Sequence, residues 1–206
     1  HDKNEANTAT KYLKNLKKIL NLGVENGWIE ENPFRNYKAR YKDVERVYLT
    51  RIELALIEKK TFTLKRLQIV KDLFLFQCYT GLAYSDMAQL TVGHISRGID
   101  GHKWIIIRRK KTDVRAAIPL LPNAEKLIKK YDNENNTSQS LLFPIYAIQK
   151  FNSYLHEIAD ICGINKNLTS HVGRRTFATT IALANGISLE TISKILGHTN
   201  TKITSQ

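Results

Sequence analysis

One segment reads as strand in a chain whose other periodic stretches read as helix, and this restricts the folds open to it. "KWIIIRRKK" (103–111) is short and β-branched, and "VRAAIPLL" (114–121) is a matching partner. The "KTD" between them (111–113) is a tight connection, so the pair predicts an antiparallel hairpin. The expected class is mainly α with a small antiparallel β-sheet (α+β).

The helical stretches lie on both sides of the hairpin. Over 8–26, Tyr12, Leu13, Leu16, Ile19, Leu20 and Val24 recur at i, i+3/i+4 spacing, with Lys11, Lys14, Lys17 and Lys18 mostly off that stripe. Asn7 or Thr8 is the expected cap, Gly27 the stop, and Pro33 closes the unit. "NYKARYKDVERVY" (36–48) is charged and without period, so it reads as a linker. Thr50 and Glu53 have capping-box spacing and open a second domain. The division is 1–37, a linker over 38–47, and 48–206. Within the second part, helices are expected over 64–79, from about Ser85, from Pro122, over 147–162, over 170–185 and over 188–196, with Gly197 ending the last.

Composition narrows the partners. Of 206 residues, 32 are Lys or Arg and 19 Asp or Glu, giving a net charge of +13. That excess favours a polyanion, either nucleic acid or an acidic membrane surface. No apolar run approaches the ~18 residues of a spanning helix. The opening HDKNEANTAT is not a signal peptide and reads as the start of an excised fragment. Cys78 and Cys162 are isolated in apolar surroundings and read as buried thiols of a reducing compartment. No Cys/His spacing suits zinc.

The stretch "TSHVGRRTFATT" (169–180) carries the chemistry. Thr169 or Ser170 would cap a helix whose free N–H groups and dipole favour an anion. His171 and Arg174 are i and i+3, share a face, and can converge on one phosphate. Arginine grips two phosphate oxygens through its planar fork. "ILGH" places His198 just past a helix end, and Lys111 sits at the hairpin tip, where it could give a proton into a groove. Each feature alone has an ordinary explanation: a helix C-cap, a solvated lysine, a surface His and Arg. Their joint order carries the weight: TGL…SD, Lys-Thr on a hairpin, His-x-x-Arg, then Leu-Gly-His.

With that order the chain closely resembles the tyrosine recombinase (phage integrase) family over its whole length. "NTATKYLKNLKKILNLGVENGWIEENPF" resembles the second half of the family's helical core-binding, DNA-clamping domain, and the remainder resembles its catalytic domain. The finer likeness is to integrases of Bacteroidetes mobile elements such as conjugative transposons. The resemblance implies Lys111, His171, Arg174 and His198 as catalytic residues. Lys11, Lys14, Lys17, Lys18 and Arg108 are expected to touch DNA. It implies cleavage and rejoining through a 3′-phosphotyrosyl intermediate without metal or cofactor. It further implies a homotetramer on paired duplex sites and a bacterial cytoplasmic, nucleoid-associated protein.

Two departures stand out. The family's first arginine follows "TGL", where this chain has Ala83. The family's tyrosine nucleophile follows the third-box histidine at a spacing that falls just past Gln206, and none of the nine tyrosines occupies it. The fragment alone is therefore expected to be inactive. Arg109 is the first candidate to replace the missing arginine. It stands two residues before Lys111 on the expected strand, so both side chains should share a face and Arg108 should point away. Arg115, across the hairpin, is the second. The competing readings are a non-cutting DNA-binding protein of the same fold and a type IB topoisomerase-like activity.

Overall fold

The computed structural model describes residues 2–42, 45–132 and 137–197. The chain divides into two compact units, His1–Arg46 and Val47–Gln206.

In the first unit, α1 (Asp2–Glu25) starts well before the expected cap, so Asn7 and Thr8 lie inside it. Gly27, at φ 69°, lets the chain reverse, and the following segment runs back along the helix. Lys17 Nζ donates to the carbonyls of Arg35 (2.8 Å) and Tyr37 (2.9 Å). The Asn7 carboxamide donates to Lys42 O (2.9 Å) and accepts from Lys42 N–H (2.7 Å). The expected free linker is thus fastened to α1 as far as Lys42, because Asn7 and Lys17 satisfy backbone groups that lack strand or helix partners. The apolar stripe of α1 is not a core: Tyr12 is 67% and Ile19 66% exposed.

The second unit is organised around α3 (Lys65–Thr80), in which every residue from Ile69 onward is buried. Helices α5 (Pro122–Tyr131), α6 (Ile148–Ile161) and α7 (Ser170–Thr176) pack against it. Such burial obliges each polar group on α3 to find a partner. Lys71 donates to the carbonyls of Glu58 and Lys60, which close α2 (Arg51–Lys59). Asp72 accepts from Gln68, Lys130 and Tyr131. Gln77 Nε2 donates to Leu82 O (3.1 Å) and Ser170 Oγ (2.9 Å). The capping box at Thr50 and Glu53 forms in both directions.

After α3 come a four-residue helix, α4 (Tyr84–Met87), and a three-stranded antiparallel sheet. Its strands are β1 (Ile95–Arg97), β2 (Lys103–Arg108) and β3 (Arg115–Pro119), in that spatial order. The β2–β3 hairpin has the expected partners, with Arg108 opposite Arg115. Strand β1 was not expected, since three residues carry no readable period. Past α7 the helix widens to π geometry over Phe177–Ala182, tightens to a 3₁₀ turn over Leu183–Asn185, and is followed by α8 (Leu189–Leu196). The segment entering the unit is held to this run: Thr176 Oγ1 accepts from Leu49 N–H (2.9 Å), and the Thr180 hydroxyl donates to the Leu49 carbonyl.

Gly81 ends α3 at φ 67°, and a Cβ there would lie 2.5 Å from Phe177 Cδ1 and 2.7 Å from Leu196 Cδ2. Gly186 has φ 78° but open space around it. Gly81→Ala should therefore cost about 2–4 kcal/mol, the left-handed backbone penalty plus overpacking. Gly186→Ala should cost only the backbone share, about 1–2 kcal/mol. Denaturant midpoints of the two variants test the difference; equal losses would contradict the packing argument.

Candidate active site

Helix α8 ends with carbonyls that have no partner within the helix, and two arginines take them. Arg174, on α7, donates through Nη2 to Leu196 O (2.7 Å) and through Nη1 to Gly81 O (2.6 Å). Arg109 donates through Nη2 to Ile195 O (2.9 Å) and through Nη1 to Asp86 Oδ2 (2.8 Å). The two guanidinium groups thus hold adjacent carbonyls of one helix end. Ala83 stands two residues after the Gly81 carbonyl that Arg174 binds. Gly197 makes room for this arrangement, since a Cβ there would come within 2.9 Å of Arg109 Cγ and Nε.

The electrostatics follow from this packing. Burial, and then the charge of Arg109, lower the pKa of Arg174 to about 10, while Asp86 acts in the opposite sense. It stays protonated at neutral pH. Two buried cations persist side by side because Asp86, only 4% exposed, and the negative end of α8 supply compensating charge.

The hairpin differs from the sequence expectation. Its inward face carries Ile105, Ile107 and Arg109 in alternation, and Arg108 is exposed, as a pleat requires. The strand ends at Arg108, however, and the turn is closed by Arg109 N–H to Val114 O (2.9 Å) and Asp113 N–H to Arg109 O (2.8 Å). Lys111 therefore belongs to the turn, exposed, and shares no strand face with the buried Arg109. The pleat argument linking them is corrected for this reason. Arg115 is exposed opposite Arg108, on the face away from Arg109, and is not brought to the buried pair.

His171 lies in the first turn of α7. Its residue surface is open to solvent, but its ring is crowded enough that burial lowers its pKa, and Arg175, Arg174 and Lys111 add repulsion in the same direction. Lys111, His171 and Arg174 are thus close enough to sense one another. The expected cap is absent: Thr169 makes no side-chain cap bond. Instead Asn152 Oδ1 accepts from Ser170 N–H (3.0 Å), and the Ser170 hydroxyl is buried against Gln77. That occupies part of the helix end expected to be open to an anion. His198 lies outside the described residues.

On α1, Lys11, Lys14 and Lys18 are exposed, whereas Lys17 is engaged with two carbonyls and keeps little to offer a phosphate. Asp86 and Asn152 were not foreseen as site residues. An aspartate three positions after Ala83 in an apolar setting was the readable signal for the first; nothing in the sequence signalled the second.

The helical unit and its small sheet match solved DNA recombinases. A lambda integrase dimer bound to a core site aligns with TM-score 0.77 at 19% identity, covering 100% of this chain and 74% of that one. The Tn1549 transposon integrase in complex with a circular intermediate DNA aligns with TM-score 0.69 at 18% identity, covering 93% and 71%. XerA recombinase aligns with TM-score 0.62 at 21% identity, covering 79% of this chain and 60% of that one, so the chain spans less than two thirds of XerA. No curated protein matches. Residues 54–206 match the Phage integrase family and residues 1–39 the Phage integrase SAM-like domain. The chain belongs to the phage integrase, or tyrosine recombinase, family.

Because its folded-state pKa is depressed, His171 should be neutral at pH 7 and titrate below the usual 6.5. Between the two values the unfolded chain binds the extra proton, so stability falls as pH drops through 6.5 and levels off below the folded pKa. A ¹H–¹³C NMR titration should show this midpoint, and Arg175→Ala should move it upward; an unmoved midpoint would contradict the assigned repulsion.

Proposed function

We propose that this chain is the DNA-cleaving part of a site-specific recombinase that serves integration or excision of a mobile element. The observation that carries the reading is the pair Arg109 and Arg174, whose guanidinium groups hold adjacent carbonyls of α8 beside Ala83. This supports Arg109 as the group that stands in for the missing first arginine. Arg109 Nε has no hydrogen-bond partner among the described residues, so a donor remains beyond those already engaged.

In the proposed reaction a tyrosine oxygen bonds to a backbone phosphorus as the bond to the 5′-oxygen breaks. The phenolic proton leaves to a base, and the 5′-oxygen takes a proton from Lys111 as general acid. Arg174 and Arg109 stabilise the charge on the non-bridging oxygens. His171, neutral at pH 7, hydrogen-bonds the phosphate or receives the tyrosine proton, and His198 assists. Reversal by the partner strand's 5′-hydroxyl rejoins the DNA. Residues 48–206 form the catalytic domain, and residues 1–37 belong to the DNA clamp, with Lys11, Lys14, Lys18 and Arg108 toward phosphates. Paired sites are held by four protomers. The +13 charge implies binding that weakens steeply with salt.

A non-cutting clamp is the second reading, favoured by Ala83 and by the several guanidinium N–H groups already engaged by protein. Trapping on a nicked suicide duplex separates the two. A polypeptide carrying the residues beyond Gln206 should form a detergent-stable covalent adduct, while residues 1–206 alone should bind DNA without one. In the longer polypeptide, Arg174→Lys keeps the charge but loses the fork, and should reduce cleavage by roughly 10²–10³ with binding little changed. Absence of any adduct on cognate DNA would favour the non-cutting clamp.

A further inference from the structure

The buried carboxylate of Asp86 does more than neutralise Arg109. Its Oδ2 accepts from Arg109 Nη1 at 2.8 Å, and its Oδ1 accepts from the backbone N–H of Lys110 at 3.0 Å. Lys110 is the first residue of the turn and Lys111 the second. Among the described residues, this N–H bond is the one hydrogen bond that ties the turn 110–113 to an element outside the hairpin. The turn's other side-chain link, Arg108 to Asp113 at 3.3 Å, stays within the hairpin, and its partners are 70% and 83% exposed. Such a pair is too solvated to fix a geometry. Without Asp86 the tip would be located only by its own closure.

We propose that Asp86 is a positioning residue for the leaving-group step: by holding Lys110 N–H it sets where Lys111 stands, while its other oxygen holds Arg109. The inference rests on reading Lys111 as the general acid. One short side chain on α4 then fixes the phosphate-side cation and the proton donor relative to each other. The two oxygens of a single carboxylate lie a fixed distance apart, so neither group shifts without the other. A lysine on an exposed turn has several free torsions. Restraining the backbone one residue away removes part of that freedom before DNA arrives, which favours the productive geometry.

The test uses two duplex substrates, one with the natural 5′-bridging oxygen and one with sulfur there. A thiolate leaves without needing a proton, so sulfur bypasses the general acid. The readout is the ratio of single-turnover cleavage on sulfur to that on oxygen, in the polypeptide that carries the nucleophile. Loss of transition-state charge stabilisation slows both substrates and leaves the ratio alone; loss of proton donation raises it. Lys111→Ala should raise the ratio by roughly 10²–10⁴. Asp86→Ala should raise it by at least about tenfold, in the same direction though less, since Lys111 is still present. If Asp86→Ala melts below the assay temperature, Asp86→Asn/Arg109→Met, which leaves no charge buried and unpaired, replaces it and is read in the same way. A folded Asp86 variant with the wild-type ratio overturns the proposal. If Lys111→Ala also keeps the wild-type ratio, the assignment of the general acid fails with it, and if wild type cleaves neither substrate the recombinase reading itself fails.

Discussion

The complete burial of α3 is the constraint on which the second unit depends. A helix sunk on all sides cannot leave Lys71, Asp72, Gln77 or Thr80 to water, so each polar group recruits a specific partner. Lys71 fixes the end of α2, Asp72 fixes α5 through Lys130 and Tyr131, and Gln77 fixes the start of α7 through Ser170. Gly173 lets α7 approach closely, since a Cβ there would meet Gln77 and Phe74 at 3.2 Å. The helix bearing His171 and Arg174 is therefore placed by core packing and a buried hydrogen bond, not by a surface loop.

The site built on that frame already contains its own counter-charges. Arg174 and Arg109 would repel across a low-dielectric interior, and the lowered pKa of Arg174 registers that cost. Asp86 and the exposed carbonyls of α8 offset it. Removing one member of a buried pair such as Asp86–Arg109 typically costs about 3–5 kcal/mol, because the other is left charged and unsolvated. The arrangement thus holds two cations near each other with no anion present, which is the condition for stabilising charge that develops only during reaction.

The elements that sequence reveals here are those set by local rules. Thr50 and Glu53 cap α2 as their spacing demands, Pro122 opens α5, and the β-branched run from Lys103 pairs with "RAAIP" in the expected register. Alternation also points Arg109 inward. What sequence could not show is set by contacts distant along the chain. Asp86 and Arg109 are 23 residues apart, and nothing local marks them as partners. The exact residue at which β2 gives way to the turn depends on closure by Val114 and Asp113, so a pleat argument carried through to Lys111 fails. Strand β1 exists only because β2 lies beside it. The early start of α1 and the docking of 35–42 along it depend on Asn7 and Lys17 finding backbone partners far down the chain.

The π stretch at Phe177–Ala182 has a consequence for how such a chain tolerates insertion and deletion. A π turn holds one residue more than an α turn, and it is costly unless something retains it. Here the two bonds to Leu49 span the junction, Thr176 lying in the last α turn and Thr180 in the widened one. Dropping one residue from 177–182 would let the run relax to uniform α-helix and gain local stability. It would also rotate everything downstream by about 100° about the helix axis, carrying α8 and the carbonyls that Arg109 and Arg174 hold out of phase with them. Length in this segment is therefore conserved by phase rather than by composition: single-residue substitutions that keep Thr176 and Thr180 are cheap, and single-residue deletions are not.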